Sequence, residues 1–146
     1  MVVASGVNIW LVRRRAQGRP APKAERLWIA TVWGSGLALA VAAVGMLAWE
    51  IPAEPVFWGL AALLLIAAPF APETRSFSRL LRLATAAAIL LVLAVHAARF
   101  GADALGPTAL PVSLSLLAIA LALGASTLIG RAGAEPALQP APAPGE

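Results

Sequence analysis

The chain has 146 residues, of which 60% belong to the apolar set AVILMFWYC and 12% are charged, with a mean hydropathy of +0.84. Soluble domains hold about 45–50% apolar and about 25% charged residues, so this composition argues against a water-soluble globule; it also excludes disorder for the bulk of the chain, which needs low hydrophobicity and high charge. What remains is an all-α integral membrane protein, and with no cysteine anywhere, disulfides, thiolate nucleophiles and cysteine metal sites are excluded too.

Residues 1–12, MVVASGVNIWLV, are apolar but only about 18 Å long as a helix, too short to cross a bilayer. Charges follow this run instead of preceding it, unlike a secretory signal. The segment is expected to lie in the membrane interface, with Trp10 as an anchor and Arg13–Arg15 on anionic headgroups. A rival reading makes it the tail of a fifth span that begins upstream. Residues 13–26 hold six of the eleven basic residues, Arg13, Arg14, Arg15, Arg19, Lys23 and Arg26, and form a basic arm. Nucleic-acid binding is the weaker reading of this arm, because it lacks interleaved aromatics and sits directly beside a span. A topology and lipid-headgroup signal is preferred.

Four spans follow, forming one transmembrane domain over 27–130. Span one covers 27–49, an uncharged run roughly 34 Å long as a helix. The connector EIPAEP leads to span two, 55–71, at the short end of the spanning range, with Pro69 near its end. A polar connector, PETRSFSR, precedes span three, 80–98. The connector RFGADALGP precedes span four, 109–129, with Pro111 in its first turn. Residues 131–146 are Ala/Pro-rich and read as a disordered tail. All twelve prolines fall in connectors, the tail or span ends, which supports the same division.

Cytoplasmic loops retain Lys and Arg. With the N-terminus inside, ten basic residues lie inside and only Arg99 outside. Both termini are therefore expected in the cytoplasm, with the chain in the cell (inner or plasma) membrane. Trp28 and Trp49 bracket span one, while Phe57, Trp58, Phe70, Phe77 and Phe100 mark the ends of spans two and three, as interfacial aromatic belts do.

Small residues recur every fourth position at Ala30, Gly34, Ala38 and Ala42 in span one and at Ala118, Ala122, Ser126 and Gly130 in span four. In lipid, close backbone approach through such faces drives helix pairing. The two stripes are expected either to pack spans one and four together or to face a partner. In span three, Arg82, Thr85, Ile89, Val92, His96 and Arg99 fall on one stripe. A polar lining built from Arg82, Thr85, His96 and Arg99 is one reading; the preferred one has both arginines snorkelling at opposite ends, since the middle of the stripe is apolar. No Asp or Glu lies inside a span, and the lone histidine, His96, lacks a second histidine for haem ligation. Gly34-Ser35-Gly36 lacks the lysine and the setting of a phosphate loop.

The expectation is a four-helix bundle without catalytic residues, cofactor or metal: an accessory, scaffold or assembly subunit packing through small-residue faces. Its partners are the lipid bilayer and other membrane subunits or further copies of itself, with no nucleic acid. A small oligomeric transporter or pore lined by span three is the alternative, and a membrane redox or metal protein comes last.

Overall fold

The structure is a computed structural model that describes residues 2–19, 21–71 and 73–132. These residues are mostly helical, without strands, and four of the helices are long and apolar enough to cross a membrane. We number five helices: α1, Val2–Ala16; α2, Pro22–Trp49; α3, Ala53–Phe70; α4, Thr74–Phe100; and α5, Ala109–Ala132. Spans one to four correspond to α2 to α5.

Local chemistry sets the helix ends. Gly18 takes the left-handed conformation, φ +69°, and the Arg19 N–H bonds back to the Arg14 carbonyl at 3.0 Å, closing α1 as a Schellman cap. Pro22 opens α2, where its missing N–H costs nothing. At the other end of α2, Glu50 adopts φ 57° and the Ile51 N–H returns to the Gly45 carbonyl. Pro69 converts the last turn of α3 into a 3-10 turn, Ala68–Phe70.

Several boundaries differ from the sequence reading: α2 starts at Pro22, not Leu27, and takes in the end of the basic arm. Helix α4 starts at Thr74, not Leu80, so most of PETRSFSR is helical. Glu73 is extended and caps the helix start, and the Phe77 N–H donates to its carbonyl. Hydropathy misses these turns because polar residues form helix equally well outside the hydrocarbon layer. Helix α5 continues through Ala132, past the expected end at 129. The tail assigned to 131–146 lies outside the described residues from 133 onward.

Helix α2 is not uniform. Between Ala30 and Gly34 it is π-helical, with hydrogen bonds to the fifth residue and a wider turn. The hydroxyls of Thr31 and Ser35 donate to the Leu27 and Val32 carbonyls at 2.9 and 3.2 Å. Such back-bonding competes with the regular ladder and bends helices.

The spans pack in a row, α3–α2–α4–α5. Helices α2 and α4 form the central pair, α3 covers α2, and α5 covers α4. About a third of the most apolar stretch of α2 is buried (33%) and 28% of that of α4, against 6% in each of α3 and α5. Few residues of the flanking helices are fully buried, and each of these helices packs along one face on the central pair.

Candidate functional site

Two arginines tie the ends of the central pair. From α2, Arg26 donates to the Pro69 carbonyl at 3.2 Å and to the Thr74 hydroxyl at 3.4 Å, locking the α3–α4 turn. From α4, Arg99 donates to the Leu47 carbonyl and meets Glu50 Oε1 at 2.7 Å, locking the α2–α3 turn. Helices α2 and α4 therefore run parallel. One end of the domain carries Lys23, Arg26, Arg75, Arg79 and Arg82 with Glu25 and Glu73, and the other carries Arg99 with Glu50, Glu54 and Asp103.

Near the basic end a polar cluster forms between α2 and α4. Thr85 is 4% exposed, and its hydroxyl shares one proton between Leu81 O at 2.7 Å and Trp33 O at 3.2 Å. Trp33 belongs to the π-helical segment, so the irregular turn and the interhelical bond coincide. One turn from Thr85, the Arg82 guanidinium stacks over the Trp33 ring, 5.2 Å from its centroid. Arg82 Nη2 donates to the buried Ser78 hydroxyl at 2.9 Å, whereas the buried Nε has no partner among the described residues. A desolvated cation over an indole gains about 2 kcal/mol, and an unsatisfied buried donor costs about 1–3 kcal/mol. The cluster thus holds a guanidinium whose hydrogen-bonding capacity is largely unspent.

A groove opens from this cluster along the helices. It encloses about 390 Å³ between α2, α4 and α5. Thr85, Ile89 and Val92 form its floor, Gly36, Ala40 and Ala43 one wall, and Leu116, Ile119 and Leu123 the other, with Trp33 at one end. The lining is apolar apart from Thr85, whose hydroxyl is already committed.

The four proposed lining residues separate into two groups. Arg82 and Thr85 lie in the cluster. His96 and Arg99 lie roughly 17–25 Å further along α4, where the His96 ring packs on Phe100 at 4.8 Å between centroids. Among the described residues, no three His, Asp or Glu side chains come together.

The stripe in α2 is buried: Ala30, Ala38 and Ala42 are at most 1% exposed, and Gly34 is covered by Leu64 of α3. That face meets α3. The face of α2 that meets α4 carries Gly36, 3.4 Å from Thr85 Cγ2 for an added Cβ, and Ala40, which joins a core with Ala86, Ala88, Ile89 and Ala120. In α5 the face packed on α4 is Leu116, Ala120, Leu123 and Thr127. Ala118, Ala122 and Ser126 are exposed, and Gly130 is helical. The groove, not a tight contact, lies between α2 and α5.

In the arm, Arg13, Arg19 and Lys23 are exposed, and the Arg14 guanidinium lies 5.0 Å from the Trp10 ring centroid. Arg15 lies in α1. Sequence reasoning passed over Ser78, Trp33 and Glu50 as partners. Ser78 was accessible, four residues before Arg82 on the same helical face. Trp33 required the relative rotation of two helices, which no single-helix pattern carries.

No family model matches the chain, and no curated protein or solved structure matches it.

Proposed function

We propose that this chain is a non-catalytic multi-pass protein of the cell membrane, an accessory, scaffold or assembly subunit whose outer helices bind another membrane protein or a further copy of itself. The basic end faces the cytoplasm, and both termini lie on that side. This orientation rests on the ten-to-one division of Lys and Arg between the two sides. The four spans form a bundle that is completed by its partner.

The observation that carries the reading is the small-residue face of α5. Ala118, Ala122 and Ser126 point away from the chain's own core, and α5 is an end helix with 6% of its apolar window buried. The Ser126 hydroxyl is satisfied locally by the Leu123 carbonyl at 2.7 Å, so the face is smooth and unpolar to a neighbour. In lipid such a face gains from close backbone approach.

Purification in mild detergent, followed by intact-complex mass spectrometry, tests this. The reading expects a stoichiometric companion or a defined oligomer that is lost in Ala122→Leu. A monomer at every concentration, with no companion, contradicts it.

A further inference from the structure

The groove and the Arg82 cluster are two halves of one site. Its floor, Thr85, Ile89 and Val92, continues by one more turn to Arg82 on the same stripe of α4. Trp33 lines the groove and also carries the guanidinium on its ring. An apolar trough with a cation at one end matches an amphiphile of opposite charge. The cation has capacity to spare: Nη2 bonds Ser78, whereas Nη1 has no hydrogen bond among the described residues and, unlike Nε, is not a buried unpartnered atom. The polar end also lies toward the end of the domain that carries Lys23, Arg26, Arg75 and Arg79 against Glu25 and Glu73, a net positive end where an anionic headgroup is favoured. The volume of about 390 Å³ falls within the range of small-molecule sites.

We propose that the groove between α2, α4 and α5 binds one anionic phospholipid from the leaflet at the Arg26 end. An acyl chain lies along Ala40, Ile89 and Leu116, and the phosphate accepts a charge-assisted hydrogen bond from Arg82 Nη1. The lipid neutralises a guanidinium that has only neutral partners within the described protein, and it fills a trough that the chain's own helices leave open. This proposal is independent of whether α5 also binds a protein partner.

Trp33 is a built-in reporter. The full chain, with Trp10, Trp28, Trp49 and Trp58 replaced by Phe, is reconstituted in bilayers of phosphatidylcholine and phosphatidylglycerol. Bromine is placed on the acyl chains of one lipid or the other. At equal mole fractions, brominated phosphatidylglycerol is expected to occupy the site about fivefold more often than brominated phosphatidylcholine, read as stronger quenching of Trp33. Arg82→Gln abolishes the preference, Arg82→Lys keeps part of it, and Arg79→Gln leaves it intact. Ala40→Phe, which fills the trough, reduces quenching by both lipids.

Equal quenching by the two lipids in the otherwise unaltered chain overturns the proposal without reference to any variant at the site. Equal loss of preference in Arg79→Gln and Arg82→Gln overturns it as well, because it reveals diffuse surface attraction. Absence of quenching by either lipid means that another helix fills the groove, which also overturns it.

Discussion

The hydroxyl of Thr85 in α4 reaches the Trp33 carbonyl oxygen in α2 at 3.2 Å, inside the π-helical segment Ala30–Gly34. The irregular turn and the buried hydroxyl explain each other: the widened turn presents a carbonyl sideways, and a threonine on the neighbouring helix meets it. Thr85→Val keeps the shape and removes the donor. The expected loss is about 0.6 kcal/mol, the average for interhelical hydrogen bonds in lipid, because the threonine hydroxyl keeps its Leu81 carbonyl partner, 2.7 Å away, when the helices separate. Reversible unfolding in mixed detergent measures it; a loss several times larger would assign the bond a role in holding the π turn itself.

Gly34 and Ala122 have the same sequence signature and opposite surroundings. A Cβ on Gly34 would stand 3.1 Å from Leu64 Cδ1, while Ala122 is exposed. Gly34→Leu should therefore destabilise the isolated chain by about 1–3 kcal/mol through overpacking, and Leu64→Ala should recover part of that loss. Ala122→Leu should leave the isolated chain's stability unchanged and weaken only association with a partner. Thermal melts of the two variants, with the double variant as a check on coupling, separate these cases.

Glu50 combines a left-handed backbone, φ 57°, with an ion pair to Arg99 at 2.7 Å. Glu50→Gly removes about 1–2 kcal/mol of backbone strain and forfeits an exposed pair worth about 0–1 kcal/mol; the carboxylate is 78% exposed, so screening favours the low end. The net expectation is a neutral to slightly stabilised chain. Glu50→Val loses the pair and sharpens the strain, so it should be destabilised. Melting temperatures of the two variants should fall on opposite sides of the parent or with glycine at parity.

Neutralising Arg13, Arg14, Arg15, Arg19 and Lys23 together should scramble orientation, since these are five of the ten basic residues assigned to the inside. Reporter fusions at both termini measure it; an unchanged pattern would mean that Arg75, Arg79 and Arg82 suffice.

Four helices long and apolar enough to cross a membrane were legible because length and hydropathy are properties of each segment alone. The polar first turns of α4 were not, because Thr74–Arg79 satisfy helix geometry without satisfying a hydropathy window. Which helix covers which was also hidden. A small-residue stripe identifies a face, not its neighbour: Gly34 meets Leu64 of α3, and α5 turns Ala120 inward while Ala118, two residues and about 200° away around the helix, faces outward. The polar stripe on α4 and the separation of its two ends were visible, but the partners of each end were not. Thr85 and Arg82 acquire their meaning from Trp33, and Arg99 from Glu50, which sit on another helix and its turn.

The proposed topology surrounds most of this chain with lipid and takes it across the bilayer four times. The absence of native cysteine permits a direct test with single cysteines at Gln17, Ile51, Glu73, Leu90 and Ala102 and a membrane-impermeant maleimide on intact cells. This topology requires labelling at Ile51 and Ala102 from outside, at Gln17 and Glu73 only after the membrane is opened, and none at Leu90, although that side chain is 46% exposed on the protein surface. Labelling of Leu90 as fast as Ala102, or of Ile51 and Glu73 from the same side, would contradict it.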